Sequence, residues 1–124
     1  MPVHVLVVED SALVVGALQL LLESSGYRVS SAGSVGEGVE QARRDPPDLM
    51  LLDLTLPDGD GLEVLTRLSA DDRPLPVAVA VTGHDAPEVR ERCLRAGCRA
   101  VLVKPIQALA LPGQVRDWVM SNES

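Results

Sequence analysis

Phenylalanine is absent, and tyrosine and tryptophan occur once each, so aromatics supply only 2% of the chain. The core must therefore be built from Val, Leu and Ala, which suits buried parallel strands covered by helices. Lysine is as scarce, one among eleven basic residues, and acid outweighs base to leave a net charge of −7. Nucleic-acid modules need a basic face, so direct DNA or RNA binding is excluded. The two cysteines, Cys93 and Cys98, lie five apart around Gly97. That is not a zinc-ligand spacing, and free thiols in a reducing compartment are expected. The longest apolar stretch, Leu13 to Leu22, is broken by Gln19 and is too short to span a bilayer. No charged segment precedes an apolar one in the manner of a signal peptide. A cytoplasmic protein without membrane insertion is expected. Neither G-x-G-x-x-G nor G-x-x-x-x-G-K follows any candidate strand, which removes the common nucleotide-binding readings.

What is present is alternation. With 124 residues, 46% of them hydrophobic, the chain suits one domain over 1–124, its core about 3–120. Val3–Val8 reads as a strand, and Ser11 opens a helix that Gly26 closes. Tyr27–Ser31 is a second strand. Ser34 and Glu37 form a capping box for a helix to about Arg44, weakened by Gly36 and Gly38 and stopped by Asp45-Pro46-Pro47. Leu49–Leu52 leads to Asp53, then a Pro/Gly loop and a helix from about Leu62 to Ala70. Pro76–Val81 leads to Thr82. Asp85 and Glu88 predict a second capping box with Pro87 in the first turn. Ala100–Val103 leads to Lys104-Pro105, and a late helix carries Leu111, Val115, Trp118 and Val119 on one face. This is the pattern of an α/β fold, a doubly wound (βα)5 flavodoxin-like three-layer sandwich with parallel order 2-1-3-4-5.

Ligands of such a sheet bind outside the carboxyl ends of its strands, at the switch point of the order. Those ends carry Glu9-Asp10, Asp53, Thr82 and Lys104. Three carboxylates would then crowd one pocket, facing a hydroxyl and an ammonium. Like charges so close disfavour one another, and a hard divalent cation with oxygen ligands relieves them. Each residue has a plainer alternative: Asp10 or Ser11 as a helix cap, Asp53 as a solvated acid, Thr82 as a turn residue, Lys104 as a surface charge. Four such residues at four strand termini favour the shared pocket.

With the acidic pair Glu9-Asp10, the loop Asp53-Leu54-Thr55-Leu56-Pro57-Asp58-Gly59-Asp60-Gly61, Thr82-Gly83 and Lys104-Pro105, the chain resembles the receiver domains of bacterial response regulators. The resemblance implies a two-component phosphorelay module, a signalling phosphoacceptor rather than an enzyme in the usual sense. Asp53 would take a phosphoryl group from a histidine kinase or a histidine phosphotransfer protein. It implies a Mg²⁺ cofactor, replaceable by Mn²⁺, held by Asp10, by Glu9 through water, by Asp53 and by the Thr55 backbone carbonyl. Lys104, the Thr82 hydroxyl and backbone N–H groups near Thr55 and Gly83 would hold the phosphate. The Lys104–Pro105 peptide is cis in the family.

Two departures stand out. Val101 occupies the position where the family places an aromatic that moves with the Thr82 equivalent. The Ala110-Leu111-Pro112-Gly113 stretch displaces the start of the last helix, which weakens the usual dimer face and leaves a monomer or a weak phosphorylation-dependent dimer. Thr55 and His84, two residues after Asp53 and Thr82, are expected to overhang the site and tune the lifetime of the phosphoryl group. On the first helix, Leu13, Ala17, Leu20, Leu21 and Ser24 read as the core face. Val15, Leu18 and Leu22 then read as an exposed docking face for the phosphodonor, with core burial through a different roll or a homodimer contact as the alternatives. Two alternatives remain: a Mg²⁺-dependent aspartyl phosphohydrolase, and a degenerate receiver that only binds partners. Whether the chain stands alone or belongs to a hybrid histidine kinase or larger regulator is open at this stage.

Overall fold

A computed structural model describes residues 2–121; the remaining ends of the expected 1–124 domain lie outside the described residues. The principal elements run β1 (His4–Val8), α1 (Ala12–Ser24), β2 (Arg28–Ala32), α2 (Val35–Arg44), β3 (Leu49–Asp53), α3 (Leu62–Leu68), β4 (Val77–Thr82), α4 (Pro87–Arg95), β5 (Ala100–Val103) and α5 (Leu111–Ser121). A small antiparallel ribbon, Thr55–Leu56 with Gly59–Asp60, lies between β3 and α3. The five main strands are parallel in the order 2-1-3-4-5, as expected. Strand boundaries differ from the sequence reading by about one residue, and α3 ends two residues early.

Apart from His4, Asp53 and Thr82 at their ends, β1, β3 and β4 are apolar and buried on both faces, which is why they read as runs rather than alternations. One cluster joins Leu6, Val8, Met50 and Leu52 to α2, α3 and α4. The opposite cluster joins Val5, Val7, Leu49, Leu51, Val77 and Val79 to α1 and α5. Each fully buried Val or Leu contributes about 1.5–3 kcal/mol, so aliphatic residues suffice without phenylalanine. The lone tyrosine seams the second layer, the Tyr27 hydroxyl donating to the Pro112 carbonyl at 2.6 Å. Leu111, Val115 and Val119 are buried with Trp118 packed beside them, so the late-starting α5 is as expected.

Local chemistry explains the helix starts. Ser11 caps α1 by accepting from the Val14 N–H. The α2 box is formed with one shift: Ser34 accepts from Glu37 N–H at 3.1 Å, while Glu37 reaches the Gly33 N–H at 3.0 Å. Gly38 lets α2 approach β1 closely, since a Cβ there would meet the Val8 methyls at 3.2 and 3.3 Å.

Two expectations are corrected. The Asp85–Glu88 box does not form, because α4 starts at Pro87 with Ala86 as the capping residue and no side-chain cap. Asp85 pairs instead with Arg90 at 3.4 Å. The roll of α1 is also corrected, although Leu21 of the expected core face does pack against the core. Leu18 and Leu22 are buried and Val15 is packed against the core, whereas Leu13 and Leu20 are 87% and 73% exposed. Val15, Leu18 and Leu22 therefore offer no docking face. The helix is apolar on nearly every side, so periodicity alone leaves its phase undetermined.

Candidate functional site

Parallel register levels the strand ends. Val8 lies beside Leu52, Asp53 beside Val81, and Thr82 beside Val103. Glu9, Asp53, Thr82 and Lys104 consequently line one edge of the sheet. Glu9 continues the ladder, its N–H donating to the Ala32 carbonyl at 2.9 Å, and the Lys104 N–H donates to the Thr82 carbonyl at 2.8 Å. The expected convergence is present: Glu9, Asp10 and Asp53 offer carboxylate oxygens that all lie within 4.8 Å of one another.

Glu9, Asp53 and Thr82 are buried, while Asp10 is exposed at the rim. The Lys104 ammonium donates to Asp53 Oδ2 at 2.9 Å and to Glu9 Oε1 at 3.3 Å. The other Asp53 oxygen accepts from the Thr55 N–H at 3.0 Å, and the second Glu9 oxygen accepts from the Ser11 N–H at 3.0 Å. The Thr82 hydroxyl accepts from the His84 N–H at 3.0 Å. The Lys104–Pro105 peptide is cis, and Thr55, Gly83 and His84 are exposed.

Burial pushes the Glu9 carboxyl above its ordinary range; the Ser11 N–H counteracts this, and neighbouring Asp53 and Asp10 add to it. For Lys104, partial burial pulls the ammonium down, but the hydrogen bond and charge of Asp53, with Glu9 behind it, carry it upward overall. These are the two sides of one condition: three acids with one ammonium hold surplus negative charge. The donors are hard oxygens, the chemistry that suits Mg²⁺.

Val101 is buried beside Ala80 in the α2–α3–α4 cluster, so a small aliphatic fills the position expected to carry the aromatic. Three features of the loop after Asp53 escaped the sequence reading. A Cβ on Gly61 would fall 2.0 Å from the Asp53 carbonyl oxygen, so only glycine lets α3 begin against the Asp53 backbone. Asp58 accepts the first two N–H groups of α2, from Val35 at 2.8 Å and Gly36 at 3.0 Å. Asp60 accepts from Leu62 N–H at 2.8 Å and pairs with Arg92 of α4 at 2.6 Å. The Gly-Asp-Gly spelling hints at the first; Val35, Gly36 and Arg92, the distant partners of Asp58 and Asp60, lie too far along the chain to be read from spacing.

Comparisons with known proteins agree with this geometry. The profile of the response regulator receiver domain family matches residues 5–116. The polar-differentiation response regulator DivK of Brucella anthropi is 40% identical over 108 residues, spanning 86% of this chain and 87% of that protein. Among solved structures, the CheY-like receiver domain protein of Methanospirillum hungatei superposes with a TM-score of 0.90 at 28% identity, covering 99% and 98% of the two chains. The receiver domain of the Pseudomonas aeruginosa sensor histidine kinase PA1611 has a magnesium ion coordinated in its active-site cleft. It matches at TM-score 0.84 and 29% identity, covering 97% and 99% of the two chains.

Proposed function

The chain belongs to the response regulator receiver domain family, and on that premise we propose that Asp53 is its phosphoacceptor and that Mg²⁺ is its cofactor. A phosphoacceptor role in two-component signalling follows from the family itself. The assignment to Asp53 rests on one observation: the single lysine of the chain bridges Asp53 and Glu9 inside the acidic cluster.

An Asp53 carboxylate oxygen attacks the phosphorus of a phosphohistidine, forming an O–P bond as the N–P bond breaks. The imidazole nitrogen leaves with the bonding electrons and takes up a proton. Lys104 begins on Asp53 and is placed to follow the charge onto a phosphoryl oxygen. The Thr55 N–H orients the attacking carboxylate, and the buried Thr82 hydroxyl is a further donor for the phosphoryl group. Glu9, Asp10, Asp53 and the Thr55 carbonyl would hold the Mg²⁺, which supplies charge neutralisation on the transferring group. Exposed His84 and Thr55 are placed to affect the entry of hydrolytic water.

The donor is a histidine kinase or a histidine phosphotransfer protein. Helix α1 begins at Ala12, two residues after the acidic pair, and Leu13, Ala17 and Leu20 are exposed apolar residues on it. They replace Val15, Leu18 and Leu22 as the expected donor contact. Transfer from a labelled phosphohistidine donor tests the assignment. Label should move to wild type with Mg²⁺, and not with chelator or to Asp53→Asn; label retained by Asp53→Asn would place the acceptor elsewhere.

A further inference from the structure

The ribbon that follows Asp53 is held from both flanks by side chains. Its strands are only two residues long, with Thr55 opposite Asp60 and Leu56 opposite Gly59. So short a pair has little rigidity of its own. At its turn, Asp58 accepts the N–H groups of Val35 and Gly36 at 2.8 and 3.0 Å. These amides open α2 and have no partner within the helix. The first of those bonds, then the second, holds the Asp58 carboxyl below its usual range. On the other flank, Asp60 Oδ1 accepts from Leu62 N–H while Oδ2 receives the Arg92 guanidinium at 2.6 Å. The other α4 ion pairs, Arg90–Asp85 and Arg95–Glu91, stay within or beside the helix. Arg92 thus ties α4 to the residue directly opposite Thr55.

We propose that Asp58 and Arg92 are positioning residues, bracing the ribbon from α2 and α4 so that the Thr55 backbone is held where the cation and the phosphoryl group need it. This rests on the proposed roles of Asp53 and Mg²⁺. The Thr55 N–H already meets Asp53 at 3.0 Å, so a shift of the ribbon misaligns the nucleophile and the expected carbonyl ligand together. The Arg92–Asp60 pair is partly exposed, with side chains 51% and 35% accessible. Each brace is accordingly worth a modest factor, about two- to fivefold. Coupling is reciprocal: filling the site tightens the hold on α4, and whatever displaces α4 loosens the site.

The test compares full-length wild type, Asp58→Ala, Arg92→Ala and Arg92→Lys by two readouts. One is amide hydrogen exchange at Thr55 and Asp60 without metal; the other is the Mg²⁺ dissociation constant from calorimetric titration. Each alanine variant should exchange faster at those amides and bind Mg²⁺ about two- to fivefold more weakly, Arg92→Ala with a near-native melting temperature. Arg92→Lys should recover most of both. Unchanged exchange and unchanged Mg²⁺ affinity in the alanine variants would overturn the proposal. Should Asp58→Ala fail to fold, the exposed Arg92 pair of variants decides. If wild type itself binds no Mg²⁺, the metal reading fails while the exchange data still judge the brace.

Discussion

Replacing Gly61 with alanine sets two physical effects against each other. Gly61 precedes α3 with φ −56° and ψ −26°, a conformation alanine adopts without strain. On backbone entropy alone, Gly61→Ala would stabilise the protein by about 0.4–1 kcal/mol. The added methyl, however, would lie 2.0 Å from the Asp53 carbonyl oxygen and 2.9 Å from its carbon. Normal contact needs more than an ångström of further separation, and both atoms belong to buried backbone. Either α3 or the end of β3 must give way, at a cost of about 1–3 kcal/mol, and the net sign becomes destabilising. Gly16 is the internal control: it lies on the exposed side of α1, and a Cβ there meets nothing within 4 Å. Gly16→Ala should gain about 0.5–1 kcal/mol, so the two variants should move in opposite directions. Urea unfolding with a constant m-value reads both. Gly61→Ala should also slow phosphorylation, since the displaced backbone carries Asp53. A Gly61→Ala protein as stable as Gly16→Ala would refute the reasoning.

Two further outcomes follow from the site and from α1. Glu9 titrates above its ordinary 4.5 in the metal-free fold, first because burial disfavours its ionised form. Its stabilising contribution is full below that ordinary value and is lost as pH rises through the raised one. In chelator, melts across about pH 4–7 should show wild type losing stability relative to Glu9→Gln as pH increases; parallel curves would contradict the shift. On α1, Leu20→Glu should change stability by less than about 0.5 kcal/mol, whereas Leu22→Ala should cost about 2–5 kcal/mol. Leu20→Glu should also weaken transfer from a phosphohistidine donor while sparing labelling by acetyl phosphate; equal loss with both donors would remove α1 from the docking face.

The architecture was legible because each buried strand is an unbroken aliphatic run that stops at a residue with chemistry. Parallel topology then does the rest, since it must bring Glu9, Asp53, Thr82 and Lys104 to one edge. Periodicity failed on α1, where apolar residues surround the axis and the rotation is chosen by packing against β1, β3 and α5. The α4 cap failed for a local reason: Pro87 takes the first helical position, and Asp85 is left one residue too early to cap. The braces on Asp58 and Asp60 and the close approach at Gly61 are contacts between distant or folded-back segments. Neither period nor spacing encodes them, although the density of Asp and Gly marks the loop as unusual.

Intact mass spectrometry after incubation with acetyl phosphate tests the central claim most directly. Wild type with Mg²⁺ should gain about 80 Da, the mass of one phosphoryl group, and should gain nothing in chelator. Asp53→Asn should stay at its starting mass under both conditions. An unmodified wild type, or an Asp53→Asn protein that gains the same mass, would contradict the account.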